Sequence, residues 1–191
     1  MSFYQEIHRL CNGLDVSLLI NNVGIMPFGN FCQTPCEQET GVIDVNVMPF
    51  VMLSRLFLPQ FLERKAQKGK MSGIVNVSSA FQKGYLRMCI TYCASKAFMA
   101  YLSGGMAFQL RGRVDVLDHA PSATASNLIP EAKPWARFLT TAQDCAKQGL
   151  NALGQAEFTA GGIFHDFQYR FCCFLNEFYL GLGSSVLTPV F

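Results

Sequence analysis

Several things are scarce or missing in this chain of 191 residues. Charged side chains make up only 15%, histidines number three, tryptophan one, and the formal net charge is +2. So small a charge points to no partner by itself. The basic residues (Arg9, Arg55, Arg64, Lys65, Arg87, Arg111, Arg113) are scattered. They make no stripe interleaved with aromatics of the kind nucleic-acid binders use, which argues against a nucleic-acid partner. No stretch reaches the ~18 uninterrupted apolar residues of a membrane-spanning helix. The nearest, FQYRFCCFLNEFYLGLGSSVLTPVF, is broken by Gln168, Arg170, Asn176 and Glu177 and reads as a core or interfacial segment. The opening MSFYQEIHRLCNG lacks the charged and apolar regions of a secretory signal. There is no internal repeat and no low-complexity linker.

Cysteine is not scarce: there are eight. Their positions do not suggest a disulfide framework, because Cys89 and Cys93 fall in a helix-like run and Cys172 and Cys173 are vicinal. Free, mostly buried thiols in a reducing compartment are expected. Cys32-x-x-x-Cys36 has half of a zinc-ligand spacing, but no second Cys/His pair lies at finger distance, so no metal site is assigned.

Half of the residues are hydrophobic, enough for a sizeable core in one domain over 1–191. Residues 2–12 read as a helix stopped by Asn12-Gly13. Val16 to Ile20 is a short apolar run stopped by Asn21-Asn22 and Gly24, the signature of a strand buried on both faces. A long helical segment runs from Thr34 to about Lys68, with Pro35 in its first turn and Pro49 and Pro59 kinking or dividing it. Strands follow at Ile74–Val77 and Val114–Leu117, separated by a helix from about Tyr92 to Arg111. A helix over 141–153, with Asp144 placed for a capping box, precedes a last strand over 158–164. Strands alternating with helices of this length predict an α/β fold with a parallel sheet. Such sheets bind ligands at the carboxyl ends of their strands. Asn21-Asn22-Val23-Gly24, Ser78-Ser79 and Ala120-Pro121-Ser122 all lie there.

Chemistry enters with Tyr92 and Lys96, four apart and so on one helical face. A free tyrosine has a pKa of about 10, and a nearby ammonium favours its phenolate. A phenol tuned in this way gives or takes a proton at a carbonyl or alcohol oxygen. Ser79, thirteen residues earlier at a strand end, is placed to hydrogen-bond the same oxygen. Hydride transfer to a carbonyl needs such groups, and the hydride itself has to come from a cofactor. Alone, a Tyr and a Lys four apart occur on many solvated helix faces; Ser79 and the strand-end setting distinguish this pair.

The set Asn21-Asn22-Val23-Gly24, Asn46 in DVNV, Ser79, Tyr92-Cys-Ala-Ser-Lys96, and Pro121 with Ser126 resembles the short-chain dehydrogenase/reductase family over nearly the whole length. The order INNVG, IVNVSS, YCASK is similar to its microsomal branch of 17-beta-hydroxysteroid dehydrogenases and very-long-chain 3-oxoacyl-CoA reductases. The resemblance implies a Rossmann-like, doubly wound parallel sheet and NAD(P)H-dependent reduction of a ketone on a lipid-like substrate, such as a steroid or 3-oxoacyl-CoA. It makes Tyr92 the general acid/base. Lys96 would lower its pKa and hold the nicotinamide ribose, Ser79 would orient the substrate oxygen, and Asn46 would anchor a water. Asn22 and Gly24 would line the adenosine side of the cofactor cleft, with Pro121, Ser122 and Ser126 beside nicotinamide and pyrophosphate. The branch implies NADP, NAD not being excluded, and the endoplasmic reticulum; otherwise the cytoplasm is expected. Membrane association fits that branch without a span in this chain.

Three departures from the family pattern stand out. The Gly-rich turn and first two βα units do not occur in this sequence, so the fold is expected to be N-terminally truncated and its cofactor affinity to fall. Val16–Ile20 then becomes an unpaired sheet edge, which a homodimer or another polypeptide would cover. The family's Pro-Gly reads Pro121-Ser122 here, and Asp118-His119-Ala120 is unusually polar for a strand exit, His119 reading as structural. The phenylalanines at 158, 164, 167, 171, 174 and 178 suit either an apolar pocket or packing. An inactive relative acting by association is the alternative to the reductase.

Overall fold

The computed structural model describes residues 3–126, 128, 140–163, 165–171, 173 and 174. Helix α1 (Phe3–Leu10) ends where Gly13 takes a left-handed φ of 85°, as the Asn12-Gly13 stop implies. Strand β1 (Leu18–Asn21) leads through a loop to α2 (Cys36–Asn46) and α3 (Met48–Lys68). Pro49 explains the break between them: it has no N–H to offer the carbonyl of Val45, and the chain restarts at Val47. Pro59, by contrast, is carried inside α3. Strand β2 (Gly73–Val77), a short 3₁₀ turn (Ala80–Lys83), α4 (Ile90–Leu110), β3 (Asp115–His119), α5 (Ala142–Ala152) and β4 (Phe158–Thr159) follow. At the start of α5, Thr141 accepts from the Asp144 N–H at 3.1 Å and donates its hydroxyl proton to the Asp144 carboxylate at 2.7 Å.

The four strands are parallel, in the order β1-β2-β3-β4. Their register decides which side chains face which layer. Leu19, Ile74 and Val116 point to one face, where Phe57 and Phe61 of α3 and Ala107 and Leu110 of α4 complete the main core. Asn21, Asn76 and Asp118 share that face by the two-residue period of a strand. His119 points to the other face and packs on α5. A Cβ at Gly149 would lie 2.9 Å from the His119 ring, so a glycine there is what lets α5 approach the sheet. Helices on both faces of a parallel sheet make this the doubly wound, Rossmann-like α/β fold expected.

Two expectations are corrected. The first strand is Leu18–Asn21 and is covered on one face only: Leu18 and Ile20 point away from α3 and remain 37% and 49% exposed. Among the described residues no helix reaches that far across the α5 face, and the strand is the sheet edge expected. The last strand is only Phe158–Thr159; Gly161 takes a φ of 97° and Ile163 already opens a helical turn, while Phe164 lies outside the described residues. The expectation of no uninterrupted apolar run stands, although Cys36–Lys68 is long and apolar enough, by length and composition alone, to cross a membrane, as core helices also can be. Its apolar centre is interrupted by Asn46, Ser54, Arg55 and Gln60, and charged residues flank it on both sides. Here it packs on the sheet through Phe50, Phe57 and Phe61.

Phe61 is fully buried at the centre of this packing. Phe61→Ala is expected to lower unfolding stability by about 3–5 kcal/mol, read as a reduced urea midpoint. A shift below about 1 kcal/mol would mean α3 is not held as described.

Candidate active site

The β1–α2 loop, the exit of β2 and the start of α4 meet at the carboxyl ends of the strands. Asn46, buried at the end of α2, holds this junction. Its Oδ1 accepts from the Ile25 N–H at 2.8 Å. Its Nδ2 donates to the Ile25 carbonyl at 3.0 Å and to Ser95 Oγ at 3.1 Å. Ser95 in turn donates to the Tyr92 carbonyl at 2.7 Å. The β1 loop is thereby tied to the first turns of α4. Both polar atoms of the Asn46 side chain are thus engaged in contacts that join these elements.

Below the junction lies a buried polar ladder that the sequence reading did not single out. Asn21 Nδ2 donates to Asn76 Oδ1 at 2.9 Å and to Ser54 Oγ at 3.2 Å, and Asn76 Nδ2 donates to Ser103 Oγ at 3.0 Å. Asn21 and Asn76 are direct register partners on β1 and β2. The signal was an asparagine in each of two apolar strands, INN and IVNV: a polar residue in a buried strand needs a partner.

Lys96 is buried, and its Nζ donates to the Val77 carbonyl at 2.8 Å. Desolvation pulls its pKa down to about 8, and the charge of Asp118 resists that fall. A Cβ at Gly24 would stand 3.6 Å from this Nζ and 3.5 Å from Asn46 Oδ1, which places Gly24 directly over the pair. Tyr92 is also buried, with Lys96 Nζ 5.6 Å from its ring centre. Ser79 caps the 3₁₀ turn, its Oγ accepting from the Phe81 N–H at 3.2 Å. That leaves its hydroxyl proton free to point at a further acceptor. Ser79, Tyr92 and Lys96 are thus brought together as the spacing implied.

The electrostatics differ from the expectation in one respect. The Tyr92 phenol is pushed above its ordinary value of 10: burial raises it most, the Ser79 hydroxyl beside it lowers it, and the thiols of Cys93 and Cys89 raise it again. The nearby Lys96 ammonium is bonded to the Val77 carbonyl at 2.8 Å and lies 5.6 Å from the Tyr92 ring centre.

Of the other residues expected to line a cofactor, Gly24 and Pro121 lie close to this centre: the Pro121 carbonyl accepts from the Ala80 N–H at 3.0 Å. Ser122 accepts from Thr124 Oγ1 at 3.2 Å in the loop beyond, and Asn22 and Ser126 are exposed. His119 is buried with Nε2 3.4 Å from Cys145 Sγ, behind the sheet and apart from Tyr92. Burial keeps it neutral by lowering its pKa. No group of three metal-ligating side chains gathers among the described residues. The described cysteines are free thiols, as expected, but most are not buried: Cys89, Cys93 and Cys145 are, while Cys11, Cys32, Cys36 and Cys173 reach the surface because they lie on loops or solvent-facing helix positions; Cys172 lies outside the described residues.

A phenol held protonated by burial titrates late. In the near-ultraviolet difference titration of wild type against Tyr92→Phe, the Tyr92 phenolate is expected to form above pH 10, and later still in Ser79→Ala. A midpoint below 10 would show that Lys96 already dominates the phenol.

The short chain dehydrogenase family model matches residues 2–137. The chain is 28% identical over 172 residues to the 17-beta-hydroxysteroid dehydrogenase type 3 of Danio rerio, covering 85% of this chain and 53% of that protein. It is 30% identical over 169 residues to the very-long-chain 3-oxoacyl-CoA reductase of Anas platyrhynchos, covering 86% of this chain and 52% of that one. The chain therefore spans about half the length of each. Among solved structures, a short chain dehydrogenase from Burkholderia cenocepacia in complex with NADP superposes with a TM-score of 0.75 at 20% identity, over 94% of this chain and 76% of that one. A short-chain dehydrogenase from Sphingobium yanoikuyae in complex with NADPH gives 0.69 at 21% identity, over 98% and 73%. With its strand-end serine, tyrosine and lysine assembled on this fold, the chain belongs to the short-chain dehydrogenase family.

Proposed function

We propose that this protein takes part in the NADPH-dependent reduction of a ketone on a bulky lipid-like substrate, with a 3-oxoacyl thioester or a steroid ketone as the substrate class. The observation that carries the reading is the joint placement of Ser79 at the exit of β2 and of Tyr92 and Lys96 on the first turns of α4, with Lys96 bonded to the last residue of β2. Bound NADPH would supply hydride to the carbonyl carbon. The residues present fit its nicotinamide-ribose end. Lys96 donates one of its N–H groups to Val77, leaving two for a ribose diol, and Gly24 brings no side chain between them. Asn22, Pro121, Ser122 and Ser126 would line the remainder of the cleft.

In this reading Ser79 donates to the substrate oxygen, which its cap on Phe81 leaves it free to do. The Tyr92 phenol gives the proton as charge develops on that oxygen. The Tyr92 phenol holds its proton at neutral pH, as a general acid in the reduction requires. Lys96 at about 8 still carries charge at neutral pH and stabilises the phenolate left behind. Asn46 keeps the β1 loop and α4 in register for all three.

The Phe-rich segment supports an apolar substrate in part. Phe158, Phe167, Phe171 and Phe174 are exposed rather than packed in the core; Phe178 and Phe164 lie outside the described residues. Phe158, Tyr169, Cys173 and Phe174, together with the Asp166–Arg170 ion pair, line a surface cleft of about 400 Å³. Relatives in the microsomal branch favour the endoplasmic reticulum as the place of action. The bare face of β1, with Leu18 and Ile20, favours a second reading in which the chain associates through this edge, as a homodimer or with another polypeptide.

NADPH fluorescence titration of the 191-residue chain tests the first reading. Dissociation constants in the micromolar range are expected, weakened about tenfold or more in Lys96→Ala and little changed in Tyr92→Phe. A folded chain that binds no NADPH or NADH at millimolar concentration would leave the second reading standing.

A further inference from the structure

One buried charge at the strand ends has no part in the reaction just described. Asp118 lies on β3, on the face of the sheet that α4 covers, and is 5% exposed. Ser78 Oγ donates to its Oδ1, and the Ser78 N–H donates to the His119 carbonyl at 2.9 Å, so the exit of β2 is pinned to the end of β3 at two points. Lys96 reaches the same strand exit from α4, its Nζ on the carbonyl of Val77, the residue before Ser78. Lysine and aspartate thus flank one short stretch of backbone. No direct ion pair joins them among the described residues, yet each feels the other's charge: Asp118 resists the loss of the Lys96 proton, and Lys96 favours the Asp118 carboxylate.

We propose that Asp118 is a positioning residue: the buried counter-charge, held by Ser78 beneath the Ser78-Ser79 exit, that keeps the Lys96 ammonium charged in a site from which water is excluded. A buried lysine without a nearby anion loses its proton, and here Asp118 supplies the anion through the low-dielectric interior. The other groups facing Asp118 fit that role. Gln82 and Lys83 of the 3₁₀ turn favour its ionised form, while Tyr169, beyond β4, carries no charge at neutral pH. Burial opposes them most strongly and pushes the carboxyl up to about 6, so it is ionised at neutral pH but not in mild acid. His119, its neighbour in sequence, points to the opposite face and is neutral.

The proposal takes its catalytic meaning from the reductase reading, but its test needs no cofactor, so failure to bind NADPH would sink that reading and leave this one. Lysine ¹³Cε resonances are followed by NMR against pH, with Lys96 assigned by its loss in Lys96→Arg. Wild-type Lys96 is expected to titrate near 8. In Asp118→Asn, which keeps an acceptor for Ser78, it should titrate about one pH unit lower, a tenfold rise in its acid dissociation constant. The coupling is reciprocal: in Lys96→Met the Asp118 carboxyl, followed by its ¹³Cγ, should titrate higher than in wild type. This second variant also answers the question if Asp118→Asn fails to fold. An unchanged Lys96 titration in a folded Asp118→Asn protein, or an unchanged Asp118 titration in Lys96→Met, would overturn the proposal.

Discussion

An ammonium taken out of water is among the most expensive things a small domain can bury, and the strand-end region of this protein is arranged around the one on Lys96. Its proton is held by the Val77 carbonyl, a main-chain acceptor fixed because Val77 ends a strand paired on both sides. Asp118 reaches the same strand exit from β3, and the ring of Tyr92 and the bare backbone of Gly24 close the space above. None of these partners comes from the same element. The lysine therefore stays charged only while β2, β3, α4 and the β1 loop remain assembled. Asn46 and the Asn21–Asn76 ladder serve the same end, tying those elements together with satisfied hydrogen bonds where apolar packing alone would leave their register loose.

Much of this was legible in the sequence. The parallel α/β fold followed from short apolar runs alternating with long helices, and the division of 34–68 followed from Pro49. Ser79, Tyr92 and Lys96 could be placed together because a strand end and a four-residue helical spacing are local features. What was not legible depends on tertiary distance. The spacing of Tyr92 and Lys96 says that they share a face, but not that the ammonium would turn to Val77 while burial governs the phenol. Asp118 drew notice only as a polar residue at a strand exit; its closeness to Lys96 depends on how α4 crosses β3. The one-sided exposure of β1 was hidden because an apolar run of five residues looks the same whether one face or two are covered.

The same sheet carries an imbalance that bears on how the protein exists in solution. Along β2 and β3 the inner residues are buried on both faces, but at β1 the cover on the α5 face ends, leaving Leu18 and Ile20 in the open beside an unpaired strand edge. Edges of this kind are normally blunted or covered. The candidate-site side chains do not depend on that face, since Asn46 is tied to the β1 loop and α4, and Lys96 to the exit of β2. Association at the edge and chemistry at the strand ends are physically separable, and a chain with an intact constellation can be either a reductase or a binding partner.

The most direct test of the central claim is transfer of label from NADPH deuterated on the reactive face to a 3-oxoacyl thioester or a steroid ketone, followed by mass spectrometry of the alcohol. The account predicts a deuterated alcohol from the wild-type chain and its loss, by several orders of magnitude, in Tyr92→Phe. No labelled alcohol from the folded wild-type chain, or the same yield without the Tyr92 hydroxyl, would contradict it.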